Sequence, residues 1–228
     1  SFSQAVETAS EVLGVNGRVF PITLDDTKLS LRLRDGTVVE GEHAIEVTNI
    51  PGDERPWLEL SPPATINPHA RQAILDADLV VVAPGLLYGS LAPALLVRGV
   101  TRALAETKAK KVYVCNLVTK PTQTDGFTVA DFVDEIERFA GVSMDYVLYN
   151  NYRPPQELLD KYAHNGEYLV EWDEAELKKK HYYASGKHLI ANGIRQHNKK
   201  ADPLAALRSL IRHDSDKIAR ELMRIYFS

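Results

Sequence analysis

The sequence has little of what marks several large classes of protein. Its 228 residues include one cysteine, so no disulfide can form within the chain, and we expect a reducing compartment, the cytoplasm. No apolar run approaches the roughly 20 residues of a membrane span, and no signal-peptide pattern precedes the first helical segment. The chain also has no large excess of positive or negative charge. The net charge is −4, and without a basic stripe we expect no nucleic-acid partner.

Several catalytic and cofactor motifs are absent as well. The sequence contains no HExxH, CxxC or GxSxG pattern, and its histidines are scattered without metal-ligand spacing. No Gly-x-Gly-x-x-Gly follows a strand-like segment, and the turn "PGLLYGS" lacks the lysine of a Walker loop. These absences argue against an ordinary ATPase, a dinucleotide-dependent enzyme and a zinc site.

Residues 1–60 predict a helix followed by an antiparallel layer. The hairpin signal is the strongest, because leucines at every second position lead into the turn Asp35-Gly36. The predicted elements are a helix over Ser3–Leu13, strands over Arg18–Leu24 and Trp57–Leu60, and the hairpin itself.

In residues 67–150 strands alternate with helices, which predicts parallel strands joined by right-handed crossovers. The segments "LVVVA" and "VYVC" are apolar at consecutive positions, as expected of strands covered on both faces. The predicted elements are helices over Ala70–Leu75, Leu91–Glu106 and Thr128–Ala140, and strands over Leu79–Ala83, Lys111–Cys115 and Tyr146–Tyr149.

Residues 151–228 predict a short helix, an edge strand over Tyr168–Asp173 and two final helices capped by Asp202 and Asp214. The whole chain therefore predicts one α/β domain over residues 1–228. We expect a three-layer Rossmann-like fold with a mainly parallel sheet and an added antiparallel hairpin layer.

The polar loops after the three parallel strands are the predicted site. The loops "PGLLYGS", "NLVTKPTQTDG" and "NNYRPP" leave the same edge of the sheet, where open α/β proteins bind their ligands. Backbone amides after Pro84 suit a diphosphate, and Gly85 would allow close approach to it or adopt a positive φ. No catalytic residue is predicted. The candidate ligand-binding residues are Pro84, Gly85, Leu86, Leu87, Tyr88, Ser90, Asn116, Thr119, Thr124, Asp125, Gly126 and Asn150.

Each candidate also has a purely structural interpretation. Tyr88 could pack in the core, and Ser90 could cap the following helix. Asn116 and Thr119 could close their own turns, and Asp125 either meets a cation or substrate hydroxyl or forms an Asp-Gly turn. The apolar strand before Cys115, with no local histidine, favours a buried thiol over a nucleophile.

Two long blocks carry a family resemblance. "NPHARQAILDADLVVVAPGLLYGSLAPALLVRGVTRAL" and "KAKKVYVCNLVTKPTQTDGFTVADFVDEI", followed by "YVLYNN", resemble the YvcK/CofD-like family of gluconeogenesis factors and 2-phospho-L-lactate transferases. Shorter segments such as "NGRVFPITLDD" extend the resemblance over nearly the whole chain. The pairs Leu87-Tyr88 and Asn116-Leu117, with Thr124–Phe127, are those of the YvcK branch.

The resemblance implies a cytoplasmic nucleotide-sugar-binding regulator, with UDP-N-acetylglucosamine as the type of ligand, acting in cell-wall synthesis, cell shape and gluconeogenic growth. The CofD branch implies the alternative, a magnesium-dependent transferase that moves a phospholactyl group from a guanosine diphospho-linked donor to a deazaflavin. A further alternative is a scaffold that acts through protein contacts alone. An enzyme is the less favoured reading, and Mg²⁺ is the only cofactor suggested.

The chain departs from the family pattern at a few positions. Leu86 and Gly89 stand where the family loop Gly-Pro-Gly-Ser-Leu-Tyr-Thr-Ser has hydroxyl residues, and Thr122-Gln123 replaces Gly-Glu. The family's opening βα unit with its Gly-Gly-Thr-Gly turn is not found, so we expect the chain to be part of a longer protein. Edge strands and apolar helix faces are compatible with a homodimer, which the sequence does not fix.

Overall fold

The computed structural model describes residues 17–191 and 211–228, together with residues 5, 6, 8, 9, 12 and 14. The helices predicted over Ser3–Leu13 and after Asp202 therefore lie wholly or largely outside the described residues.

The predicted hairpin forms part of a three-stranded antiparallel sheet. Strand β1 pairs with β2 on one side and with β3 on the other, so that Leu31 faces Val39 and Leu58. Leu31 is completely buried and joins the main hydrophobic core. The strands are β1 (Lys28–Arg32), β2 (Val38–Glu40) and β3 (Trp57–Ser61), with the short helix α1 (Glu42–Glu46) after β2.

The strand predicted over Arg18–Leu24 is wrong. Only an isolated bridge between Thr23 and Ile66 occurs in this segment. The segment is bonded instead to Asn67, the residue before the helix Pro68–Leu75. The side-chain amide of Asn67 donates to the Pro21 carbonyl at 3.1 Å, and its backbone N–H donates to the Ile22 carbonyl at 2.8 Å. Pro21 offers no N–H to a sheet, which weakens a strand at this place.

The second sheet is the parallel core. Its order is β4-β5-β6-β7 and every neighbouring pair is parallel, which confirms that the three predicted core strands are neighbours. The fourth strand was not predicted, because its sequence YASGK lacks an apolar run. The strands are β4 (Leu79–Val82), β5 (Lys110–Val114), β6 (Tyr146–Asn150) and β7 (Tyr183–Lys187).

Helices cover both faces of the parallel sheet and complete three layers. On one face, α5 begins with a capping box between Thr128 and Asp131 and buries Phe132 and Ile136 in the main core. On the other, α8 places Ile225 against Val112, Val114 and Leu148. The helices are α2 (Pro68–Leu75), α3 (Ala92–Leu96), α4 (Val100–Glu106), α5 (Val129–Ala140), α6 (Gln156–Ala163), α7 (Glu174–Leu177) and α8 (Ser215–Phe227).

The single helix predicted over Leu91–Glu106 is wrong in two respects. A π-helical turn over Leu87–Leu91 precedes α3, so helical structure begins four residues earlier than predicted. The chain then leaves the helix between α3 and α4, where the Arg98 N–H donates to the Ala64 carbonyl at 2.9 Å. Gly99 restarts the helix from φ +97°, a backbone conformation that favours glycine.

The edge strand predicted over Tyr168–Asp173 is also wrong. Leu169 forms an isolated bridge with Val118, and Glu171 forms one with Thr128. This segment therefore braces the loop that follows β5 instead of extending the sheet. Across the described residues, no helix is both long and apolar enough to cross a membrane.

Candidate functional site

The carboxyl ends of β4, β5 and β6 are followed by three loops, which we call the first loop (residues 83–91), the second loop (115–128) and the third loop (151–155). The first and second loops are joined directly, because the Asn116 amide donates to the Gly85 carbonyl at 2.9 Å. The Tyr113 hydroxyl lies 3.3 Å from the Asn116 side-chain oxygen and orients the amide. The structure thus brings together two of the predicted site residues, and Asn116 acts as the link between their loops.

The first loop is anchored by a buried tyrosine. Tyr88 has no exposed surface, and its hydroxyl donates to the Glu135 carboxylate of α5 at 3.2 Å. Arg138 donates to both oxygens of that carboxylate, at 2.8 and 2.7 Å, and Arg55 lies 3.7 Å from it. Burial, and then the Glu135 charge, raise the pKa of Tyr88 well above its usual value. Tyr88 is therefore a neutral donor in the interior, which agrees with its structural interpretation.

The backbone of the first loop is hydrogen-bonded where its turn closes on Leu86. The N–H groups of Ser90 and Leu91 both donate to the Leu86 carbonyl, at 2.9 and 3.0 Å. Within the described part of the chain, the N–H groups of Leu87, Tyr88 and Gly89 meet no acceptor. Ser90 is exposed inside the π-helical turn, so its interpretation as a helix cap is wrong.

Gly85 packs closely against Leu91 within the loop. Its φ is not positive, and a Cβ atom there would lie 3.0 Å from Cδ2 of Leu91. The positive φ proposed for Gly85 is therefore wrong, because the side of the residue that a Cβ would occupy already faces Leu91. A side chain at this position would therefore press on Leu91 at the end of the π-helical turn.

The polar side chains of the second loop close the loop on itself. The Thr124 hydroxyl accepts the Lys120 N–H at 2.8 Å, and the Asp125 carboxylate accepts the Thr122 N–H at 2.6 Å. The second bond holds Thr122 at φ +66°, which is uncommon for a residue with a Cβ atom. Gly126 follows at φ +73°. These side chains shape the loop, and ligand contact through Thr124, Asp125 and Gly126 stays a prediction.

Thr119 and Asn150 make similar local bonds. The N–H of Thr119 donates to the Tyr168 carbonyl at 2.7 Å, and its hydroxyl accepts the Tyr168 N–H at 3.1 Å. Asn150 accepts the Leu189 N–H at 3.2 Å and donates to the Tyr152 carbonyl at 2.7 Å. Asn150 thereby ties the third loop to the chain that follows β7.

Two histidines not predicted from the sequence also lie at this edge. His213 is within 3.1 Å of the Cys115 carbonyl through Nε2, and the His188 ring stacks on Tyr152 with centroids 3.9 Å apart. Burial lowers the pKa of both imidazoles. Neither histidine belongs to a local motif: His188 directly follows β7, and His213 meets Cys115 from 98 residues further along the chain.

Cys115 is not suited to nucleophilic chemistry. The residue is completely buried, and burial raises the pKa of its thiol to about 12. A thiol with such a pKa is protonated at neutral pH and is a poor nucleophile. This agrees with the structural interpretation of Cys115.

A cavity of about 490 Å³ opens beside the second and third loops. Thr119 and Gly126 line one side of it, and Arg153 contributes a guanidinium. Arg153 bonds Glu171 through two nitrogens, one of them at 3.0 Å, and its guanidinium lies 5.3 Å from the centre of the Trp172 ring. The volume is in the range of small-molecule sites, roughly 300–1,000 Å³. Arg153 brings a positive charge to the lining, which Glu171 already pairs with, and the carboxylates of Asp160 and Glu167 line the same cavity.

Within 17–191 and 211–228 no group of three or more His, Cys, Asp or Glu side chains could hold a metal ion. The Asp125 carboxylate already accepts a backbone N–H. Magnesium therefore stays a prediction that rests on the family resemblance.

A family model, similar sequences and a similar crystal structure all relate this chain to the same group of proteins. Residues 1–190 match the family described as 2-phospho-L-lactate transferase CofD. The gluconeogenesis factor of Bacillus subtilis is 32% identical over 225 residues, 97% of this chain. A Thermoanaerobacterium thermosulfurigenes protein with a gluconeogenesis-factor name is 38% identical over 226 residues, 98% of this chain. A crystal structure of a Bacillus halodurans protein superimposes with a TM-score of 0.83 at 28% identity, covering 97% of this chain and 67% of that one.

The chain is shorter than these relatives. It spans 65% of the length of the Thermoanaerobacterium protein and 65% of the Bacillus subtilis protein.

Proposed function

The chain belongs to the CofD family, and on that premise we propose that it is part of a cytoplasmic regulator that binds a nucleotide sugar of the UDP-N-acetylglucosamine type. The ligand occupies the carboxyl edge of the parallel sheet. Its diphosphate faces the open amides of the first loop, and the rest of the molecule extends along the second and third loops. The gluconeogenesis-factor names of the relatives favour a role in gluconeogenic growth; cell-wall synthesis and cell shape belong to the same proposal.

One observation carries the proposal. The hydrogen bond from Asn116 to Gly85 joins two loops that follow neighbouring parallel strands, so their polar backbone faces one place at the carboxyl edge. Open α/β folds bind nucleotides at this edge. The adjacent cavity, with Arg153 at its side, is large enough for the part of the ligand beyond the diphosphate.

The test is calorimetric titration of the protein with UDP-N-acetylglucosamine, followed by the variant Asn116→Asp. The substitution removes the amide donor to Gly85 and introduces a carboxylate next to the proposed diphosphate. We expect affinity to fall at least about tenfold, equivalent to about 1.4 kcal/mol. UDP and GDP, titrated in parallel, report how much of the affinity depends on the base and on the sugar.

Gln72→Glu is the matched control. It introduces the same charge on α2, which leads into the amino end of β4 and is therefore remote from the three loops. Affinity should be unchanged in this variant. The proposal fails if the protein gives neither heat nor a thermal shift with millimolar UDP-N-acetylglucosamine, or if Asn116→Asp binds as the parent does.

A second candidate function is a transferase of the CofD type. It is favoured by the family match itself, which extends over residues 1–190 and takes its description from 2-phospho-L-lactate transferase. The test is incubation with a guanosine diphospho-linked phospholactyl donor, a deazaflavin acceptor and Mg²⁺, with product measured by mass spectrometry. Product formation that depends on the protein favours this candidate, and GDP would then bind more tightly than UDP in the titrations.

A further inference from the structure

One helix face forms a wall of the cavity beside the second and third loops. Gln156, Leu159, Asp160 and Ala163 of α6 all line this cavity. Their spacing of three and four residues places them on the same side of the helix. The wall is therefore polar at Gln156 and Asp160 and apolar at Leu159 and Ala163, so a ligand in the cavity meets both kinds of surface.

The lining carries more negative than positive charge. Asp160, Glu167 and Glu171 bring three carboxylates, against the single guanidinium of Arg153, and that guanidinium already pairs with Glu171. Within the described part of the chain, the carboxylates of Asp160 and Glu167 form no ion pair. Two negative charges without a cationic partner therefore belong to this cavity.

Asp160 retains an oxygen that can accept a further hydrogen bond. Its Oδ1 atom accepts the side-chain amide of Gln156 at 2.8 Å. Its Oδ2 atom accepts no hydrogen bond from any residue that the structure describes. A ligand hydroxyl could therefore bond Oδ2 without displacing a bond that the protein already makes.

Tyr168 adds an aromatic residue to the same lining. The residue is 54% exposed, although both of its backbone groups are bonded to Thr119. Its backbone is therefore fixed while much of its side chain remains accessible. A tyrosine ring provides a large apolar surface, so the cavity combines aromatic surface with carboxylate acceptors.

These properties distinguish between the parts of a nucleotide sugar. A carboxylate accepts hydrogen bonds and donates none, so the lining favours the part that carries most donors. A hexose ring has several hydroxyl donors, whereas uracil has a single N–H. A diphosphate has no proton to donate, and the carboxylates would repel its charge. The sugar is therefore the part that this lining matches.

We propose, resting on the nucleotide-sugar function proposed above, that this cavity receives the sugar and selects a neutral sugar over an acidic one. Asp160 and Glu167 accept hydrogen bonds from the sugar hydroxyls, and Tyr168 packs against the ring. The same two carboxylates repel a sugar that carries a carboxylate of its own. The site thus accepts the nucleotides of hexoses and N-acetylhexosamines and excludes those of uronic acids.

The experiment compares UDP-glucose with UDP-glucuronate by calorimetric titration of the protein. The two ligands differ only at the sugar, where a carboxylate replaces a CH₂OH group. UDP-glucose should bind at least about fivefold more tightly, because like charges oppose each other in the other complex. This preference should shrink as salt is added, since the carboxylates are accessible to solvent. UDP, titrated in parallel, measures binding without a sugar.

The variant Asp160→Asn, Glu167→Gln removes both unpaired charges and keeps side chains of the same size. Asparagine also keeps the oxygen that accepts the Gln156 amide. The preference for UDP-glucose should fall below about twofold, because the repulsion of UDP-glucuronate is removed. The affinity for UDP should not fall, since the two carboxylates contact the sugar.

Asp78→Asn is the matched control. Asp78 is exposed and directly precedes β4, at the amino end of the parallel sheet. Its substitution removes the same charge far from the cavity and should leave the preference for UDP-glucose as it is in the parent.

Failure of this inference can be told from failure of the proposed function. If UDP-N-acetylglucosamine, UDP-glucose and UDP-glucuronate all fail to bind, the function fails and the inference fails with it. The inference alone is overturned if the neutral ligands bind and UDP-glucuronate binds as tightly, or if the double variant keeps the parent preference. It is also overturned if the double variant loses as much affinity for UDP as for UDP-glucose, because the cavity would then hold the nucleoside.

Discussion

The first and second loops at the carboxyl edge are held by different means. In the first loop Tyr88 bonds Glu135, which is 47 residues further along the chain, inside α5. In the second loop Asp125 bonds the N–H of Thr122, only three residues away. The turn at Asp125 is closed by a neighbour, although Thr122 and Gln123 also bond Ile50 and Ile45, whereas the first loop takes its position from α5. Substitutions at Tyr88 should therefore reach the core, and substitution of Asp125 should act mainly on its own turn.

The largest effect is expected for Glu135→Ala. Glu135 is 2% exposed and accepts hydrogen bonds from Tyr88 and Arg138. Removing one partner of a buried ion pair costs about 3–5 kcal/mol, and the partial exposure of the arginines places this case near the lower value. Urea denaturation should show a loss of about 3 kcal/mol in the free energy of unfolding.

Asp134→Asn is the matched control on the same helix. Asp134 is largely exposed and lies 3.5 Å from Lys180, so its loss should cost less than about 1 kcal/mol. Equal effects of the two substitutions would contradict the view that Glu135 anchors the first loop.

The next effect tests the anchor itself. Tyr88→Phe keeps the buried ring and removes its hydrogen bond to Glu135, which should cost about 1 kcal/mol. Combining it with Glu135→Gln in a double-mutant cycle should give a coupling energy above about 0.5 kcal/mol. Additive effects would show that the two side chains contact each other without stabilising each other.

The parallel core was predictable because its signals are local. Consecutive apolar residues in β4 and β5, with helical patterns between the strands, were enough to predict neighbouring parallel strands. Parallel strands place their following loops at one edge, so the location of the candidate site followed as well. The resemblance to a family added the class of ligand, which the residues alone did not give.

What could not be predicted depends on residues far apart in the chain. The partner of Tyr88 is one acidic residue of an amphipathic helix, and nothing near it identifies it as buried. β7 reads YASGK, and it is a strand because β6 provides a partner for it. His213 reaches the Cys115 carbonyl across 98 residues of sequence. Tertiary contacts decide each of these cases.

The third prediction concerns the second loop. Asp125→Ala removes the acceptor for the Thr122 N–H and should cost about 1 kcal/mol of unfolding free energy. Asp125→Asn keeps an oxygen acceptor and should cost much less. Amide exchange should accelerate in residues 120–126 of the alanine variant, while that of the first loop is unchanged. Faster exchange in both loops would contradict the independence of the two.

If nucleotide-sugar binding requires the charge of Asp125, the affinity should fall equally in both variants. If affinity depends only on the shape of the second loop, Asp125→Asn should retain it. Calorimetry of the two variants side by side distinguishes a ligand contact from a turn-forming role.

The smallest effect concerns the residue that holds the start of the second loop. Burial lowers the pKa of His213 in the folded protein, whereas in the unfolded chain the imidazole titrates near its usual value of about 6.5. Below that value the unfolded state binds more protons, so the stability present at neutral pH is lost as pH falls. One such proton changes the free energy of unfolding by less than about 1 kcal/mol between pH 7 and pH 6.

His213→Gln removes this proton and keeps an amide that can donate to the Cys115 carbonyl, so unfolding free energies measured from pH 7 to pH 6 should have a shallower pH dependence than in the parent. Burial also lowers the pKa of His188. This residue should therefore still make the variant less stable as the pH falls. His164→Gln, at an exposed position after α6, controls for the exchange of histidine for glutamine as such. A slope unchanged by His213→Gln would mean that the imidazole is not kept neutral at the start of the second loop.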